Sequence, residues 1–272
     1  MDYINSQGKV TFFLDEGHGS PVILIHGVGL DHAMWRFQME ALTEHHRVVC
    51  YDMLGHGRTA PCSESCQLGD FIQQLSELIG YLGLERVHLV GFSMGGLVAE
   101  GFSIEFPHKV ASMTLISSVA QRTPEQRANV LARVRQVEQN GHISTIEPAI
   151  ARWFTPTFIE NHHDTVNAVR QRLEGNDHAS YLAAYRVFAT ADSDYFDRLN
   201  EIRCPTLIIT GEHDVGSTPQ MAYEIGKRVH GSKVTIVPDV KHMLPVEGKD
   251  EVISTLLPFL EEVDKSRSHQ EV

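Results

Sequence analysis

Apolar residues fall along this chain in two rhythms. Short unbroken runs occur at residues 9–14 (KVTFFL), Pro21–Ile25, Arg47–Tyr51, 87–90 (VHLV), Val110–Ile116, 205–210 (PTLIIT) and Lys233–Val237. Runs without polar alternation predict strands of a sheet covered on both faces. Between them the apolar spacing is three and four. Phe71, Ile72, Leu75, Leu78, Ile79 and Leu82 predict an amphipathic helix over 68–82. Further helices are expected over 32–42, from 94 to Phe106 (where Pro107 stops the run), and over 220–229 and 250–263. Residues 15–20 (DEGHGS) predict a turn. Strands alternating with helices imply parallel βαβ units, hence an α/β fold.

The rhythm changes after Ser118. No strand is expected from Pro124 to about Phe196, where helical patterns cover Pro124–Asn140, 143–153, 158–173 and 179–191. The expected organisation is therefore an α/β core of residues 1–119 and 200–263, a helical insert of 120–199, and a polar tail, 264–272, that frays.

Bulk composition narrows the function. A chain of 272 residues suits one large domain with an insertion, or two ordinary domains. A formal charge of −12 opposes binding to nucleic acid and to anionic membranes. No apolar run reaches the roughly 20 residues of a spanning helix, and the first residues carry no basic or apolar signal segment. A soluble cytoplasmic protein with a small-molecule partner is expected. Of the cysteines, Cys50, Cys62, Cys66 and Cys204, only Cys62 and Cys66 are close, so no zinc set forms and free thiols are expected. The 16 histidines show no metal-ligand spacing; His45, His46, His162, His163 and His178 are expected to be solvated or capping. No loop carries a dinucleotide fingerprint, so no cofactor is implied.

Chemistry concentrates at the ends of the predicted strands. Gly91-Phe92-Ser93-Met94-Gly95 is a G-x-S-x-G element between a strand and a helix. A sharp turn there strains the serine backbone and lifts its hydroxyl above the sheet, and Gly91 and Gly95 remove side chains that would collide. The alternative is a plain glycine-rich turn. A nucleophilic serine needs a base, and the base needs an orienting acid. Asp214 follows the 205–210 strand, 121 positions (214 − 93) after Ser93, with Glu212 as the alternative acid. His242 follows the last strand, 28 positions (242 − 214) later. Backbone N–H groups of Val28, in His26-Gly27-Val28-Gly29, and of Met94 are candidates for an oxyanion hole. His26 is expected to fix that loop. Asp52 has no assigned role.

The segments I-H-G-V-G, Y-D-M-L-G-H-G, V-G-F-S-M-G-G, T-G-E-H-D and K-H-M-L together resemble the α/β-hydrolase superfamily over about residues 9–263. The resemblance implies a mostly parallel central sheet flanked by helices, with the insert as a cap. Within that superfamily the chain is most similar to the group around 3-oxoadipate enol-lactonase. It shares G-x-D-x-x-M-W over 29–35, Arg152-Trp153-Phe154-Thr155-Pro156, and Ser217-Thr218-Pro219. The lactonase has N-S-L-G where this chain has His26-Gly27-Val28-Gly29. The expectation is therefore a serine esterase or lactonase whose particular substrate is open. Trp153 and Phe154, with Phe158, are candidates either to line the pocket or to pack the cap. Arg152 is a candidate to bind a substrate carboxylate. Two other activities fit the same scaffold. One is C–C bond hydrolysis or lysis. The other is a small-molecule receptor of the strigolactone-receptor type, which the Gly29, Asp31 and Trp35 pattern resembles.

Overall fold

In the computed structural model, which describes residues 1–5 and 7–268, the seven apolar runs and one further short strand pair into one eight-stranded sheet. Its strands are β1 (Asp2–Ile4), β2 (Val10–Gly17), β3 (Pro21–Ile25), β4 (Arg47–Tyr51), β5 (Val87–Phe92), β6 (Val110–Ile116), β7 (Thr206–Gly211) and β8 (Lys233–Val237), in the order β1-β2-β4-β3-β5-β6-β7-β8. From β4 onward in that order neighbours run parallel, while β1–β2 and β2–β4 are antiparallel. The strand β1 is absent from the apolar pattern because it pairs through only three residues. The turn expected at 15–20 starts later, since β2 continues through Gly17. Asp15 and Glu16 pair with Val49 and Val48, and the Asp15 carboxylate receives two hydrogen bonds from Arg47, at 2.9 and 2.7 Å.

Alternate residues of each strand feed two cores. Ile23, Ile25, Leu89, Met113 and Ile208 face one, with α2 (Leu68–Tyr81), α3 (Met94–Glu105) and α9 (Pro219–Arg228). Val22, Leu24, Val90, Ile116 and Ile209 face the other, with α1 (Arg36–Leu42) and α11 (Lys249–Ser268). A sheet buried on both sides needs apolar residues at every position, which is why these strands read as unbroken runs. The last helix corrects the expected frayed tail for residues 264–268. Asp264 anchors it, accepting from Ser20 Oγ at 2.5 Å and lying 3.0 Å from His88 Nε2. The rest of that tail, 269–272, lies outside the described residues. His46 is likewise buried rather than solvated, its Nδ1 2.9 Å from Ser20 Oγ.

Between β6 and β7 the chain is helical: α4 (Pro124–Asn140), α5 (Ile146–Trp153), α6 (Pro156–Asn161), α7 (His163–Glu174) and α8 (His178–Thr190). Thr123 and Gln126 cap the start of α4 reciprocally, with Pro124 at its first position. The single helix expected over 158–173 is two, because His162 leaves helical geometry at φ −130°. The insert is tied to the core by Met243 N–H donating to Trp153 O at 3.0 Å, and by Thr155 N–H donating to Glu247 at 3.1 Å. A short helix α10 (Leu244–Glu247) carries that glutamate. Among the described residues no helix is long and apolar enough to cross a membrane.

Candidate active site

The turn from β5 into α3 places Ser93 at φ 54° and ψ −114°, a conformation that L side chains rarely adopt. Its surroundings enforce it. Ser93 N–H donates to Ile116 O at 2.9 Å, and Gly96 N–H donates to Ser93 O at 2.9 Å. A Cβ on Gly91 would lie 2.3 Å from Gly95 O, and one on Gly95 would lie 2.2 Å from Ile25 O. Both positions therefore need glycine for space, as the turn argument expected.

Asp214 and His242 stand on the loops after β7 and β8. His242 Nδ1 lies 2.7 Å from Asp214 Oδ2, and both side chains are largely buried. The other carboxylate oxygen, Oδ1, accepts from Gly216 and Ser217 N–H, each at 2.8 Å. Asp214 is thus fully satisfied and fixes one face of the imidazole, leaving Nε2 to take or give a proton. Glu212, the alternative acid, is exposed. Among the described residues no hydrogen bond joins the Ser93 hydroxyl to the imidazole. Such contacts are often long without ligand and tighten when substrate binds.

The loop after β3 lies against Ser93: a Cβ on Gly27 would come within 3.3 Å of Ser93 Cβ. Val28 and Met94 are both buried beside it. Met94 opens α3, where the first backbone N–H groups have no acceptor within the helix. Two histidines hold the loop. Met53 N–H donates to His26 Nε2 at 2.9 Å, so Nδ1 carries the proton and donates to Gly27 O at 2.7 Å. Gly29 N–H donates to His56 Nε2 at 2.9 Å, so His56 Nδ1–H donates to Leu54 O. Burial keeps both rings neutral. It lowers His26 and holds His56 down to about 3. His26 has the role expected of it. His56 was signalled only by its place in Gly55-His56-Gly57. Asp52 also finds a role: buried, it accepts from the backbone and ring of His32 and from Arg58 N–H, which braces the same loop region. Burial raises its pKa, but those hydrogen bonds outweigh it and leave the carboxyl below its ordinary range.

Ser93, Asp214, His242 and Val28 line one cavity of about 380 Å³, a size suited to a small molecule. Arg152 and Trp153 line it from the insert, as do Arg122, Arg133, Tyr181 and Tyr185, which no sequence motif marked. Tyr181 and Tyr185 are four apart on α8, so their shared face was the available signal. Phe154 does not line the cavity. It is fully buried in the second core and stacks on Phe158 at 5.2 Å, so both rings pack the insert onto the core. Helical phase explains the split: α5 ends at Trp153, and Phe154, already extended, points the opposite way. Among the described residues one group of possible metal ligands comes together, Glu212, His213 and Asp239. All three are exposed and outside the cavity, where acidic groups gather commonly without an ion.

This sheet order, the strained serine at a strand–helix turn and the loops at the strand ends define an α/β hydrolase. Residues 20–249 match the family described as alpha/beta hydrolase fold, and the chain belongs to that family. The chain is 32% identical over 256 residues, covering 94% of itself and 96% of the relative, to (E)-2-((N-methylformamido)methylene)succinate hydrolase of Acinetobacter baylyi. It is 28% identical to 3-oxoadipate enol-lactonase 1 of the same organism, over 95% of this chain and 96% of that one. Among solved structures, a thermophilic esterase from Thermogutta terrifontis, with malate bound, superposes with a TM-score of 0.87 at 27% identity, covering 97% of this chain and 98% of that one.

Proposed function

We propose that this hydrolase cleaves a small carboxylic ester or lactone through an acyl-enzyme on Ser93. The observation that carries the reading is the convergence of the strained serine and the hydrogen-bonded Asp214–His242 pair on one cavity. Ser93 Oγ attacks the carbonyl carbon while His242 Nε2 takes its proton. The oxyanion that forms is held by the N–H groups of Val28 and Met94. Collapse breaks the bond to the alkoxy oxygen, which leaves with the proton from His242. Water then attacks the acyl-enzyme, His242 takes one of its protons, and the acid is released as Ser93 recovers its own. Asp214 holds the imidazole in the required tautomer throughout.

In this reading residues 120–199 act as a cap over the 1–119 and 200–263 core, and Trp153 and Arg152 contact the substrate. The enzyme works in the cytoplasm on small molecules, without cofactor, nucleic acid or membrane. Relatives named as an enol-lactonase and an esterase support hydrolysis at an ester-type carbonyl. p-Nitrophenyl acetate or butyrate should be turned over repeatedly, and Ser93→Ala should lower kcat at least about a thousandfold. Activity of Ser93→Ala within tenfold of the parent, or no turnover across a panel of short esters and lactones, would overturn the proposal.

A further inference from the structure

Two strands of the sheet are followed at once by a serine with a left-handed backbone. One is β5, followed by Ser93; the other is β6, followed by Ser117 at φ 48°. Ser117 is fully buried and lies outside the cavity that Ser93 lines. Side chains enter this backbone region at a cost, which glycine escapes and asparagine bears more readily. A buried serine held there points to a task for its hydroxyl. That hydroxyl donates to His242 O at 3.1 Å, across 125 positions of the chain.

The bond closes a path between Ser93 and His242. Ser93 N–H donates to Ile116 O at 2.9 Å, and Ser117 is the next residue. Ser117 is itself pinned through its N–H to Ile209 O, at 2.8 Å. The end of β6 thus holds Ser93 on one side and His242 on the other. A parallel tie serves Asp214: His213 N–H, one residue before it, donates at 2.9 Å to Val240 O, two residues before His242. His242 O also accepts from Leu244 N–H, at 2.7 Å, within its own loop. Among the described residues Ser117 is its one donor from outside that loop. Asp214 fixes the tautomer and tilt of the ring, and the backbone beneath the ring sets its distance from Ser93 Oγ. Proton transfer needs hydrogen-bond reach, so an ångström-scale displacement of the base slows chemistry without weakening binding. We propose that Ser117 is a positioning residue, whose hydroxyl holds His242 at the spacing from Ser93 that proton transfer requires. The inference rests on Ser93 as the nucleophile and His242 as the base. Ser117 lines no part of the cavity and acts through His242.

The test is steady-state kinetics on p-nitrophenyl acetate with Ser117→Ala and Ser117→Gly. Both remove the hydroxyl, and glycine also relieves the backbone. Each should lower kcat by roughly ten- to a hundredfold, with KM within about threefold of the parent's. Each should also slow labelling of Ser93 by a fluorophosphonate by a similar factor, because that reaction draws on the same base. A role in folding alone predicts otherwise: the loss would follow melting temperature, and the unstrained glycine variant would keep the parent's kcat. A glycine variant within about threefold of the parent in kcat, or a loss confined to KM, would overturn the proposal. If the parent neither turns over the ester nor takes the label on Ser93, the nucleophile reading fails instead. The imidazole resonances of His242, identified by their loss in His242→Gln, then decide. A shift in both Ser117 variants upholds the positioning of His242, and unchanged resonances overturn it.

Discussion

Ser93 and Glu100 stand seven positions apart on one segment and are constrained in different ways. Ser93 keeps a left-handed backbone in a turn so tight that a Cβ on Gly91 or Gly95 would run into neighbouring backbone. Glu100 is a carboxyl buried in α3 that accepts a hydrogen bond from Ser118 Oγ, at 3.2 Å. Burial pushes its pKa up to about 8. The folded protein therefore keeps a proton that the unfolded chain, titrating near 4.5, gives up. The contribution of Glu100 to stability falls as pH rises from about 4.5 through about 8, then levels off. Glu100→Gln should remove that decline, so its denaturation midpoint should overtake the parent's between pH 6 and pH 9. Parallel pH dependence of the two proteins would show that Glu100 ionises normally.

At the scale of elements, the loop after β3 is held from both the core and the insert. His26 and His56 fix it from below, and Asn176, just after α7, donates to Gly29 O at 2.9 Å. Asn176 is itself held by Arg172 at 2.7 Å, and Arg172 reaches Asp31 at 3.0 Å. The insert thereby braces the loop that carries Val28, the proposed oxyanion donor. Asn176→Ala should lower kcat by roughly ten- to a hundredfold, the cost of ångström-scale misplacement of a catalytic group, with a smaller change in KM. A change confined to KM would assign Asn176 to substrate contact instead. These connections were not legible in the sequence, because Asn176 and Gly29 are 147 positions apart and meet only through the fold. The elements themselves were more open to reading. The bounds of β3, β4, β6, β8 and α4 follow from unbroken apolar runs and from Pro124 at a helix start. The end of β2 was hidden, since Asp15 and Glu16 are polar and stay in the strand through pairing with β4 and the Arg47 contact.

At the scale of the whole molecule, the proposed chemistry and selectivity come from different parts of the chain. Ser93, Asp214 and His242 sit at strand ends, where short motifs mark them and the sheet order brings them together. The opposite cavity wall is built from Arg122 and from α4, α5 and α8, whose contributions are spread as far as Phe188 and carry no local signature. Arg152 and Trp153 were found through a resemblance, whereas Arg133 and Tyr185 needed the packed helices. The protein should be treated with a serine-directed fluorophosphonate, digested and mapped by mass spectrometry. One phosphonyl adduct per chain is expected, on the peptide containing Ser93, with esterase activity lost in step with labelling. Full labelling at another residue, or activity that persists in the Ser93 adduct, would contradict it.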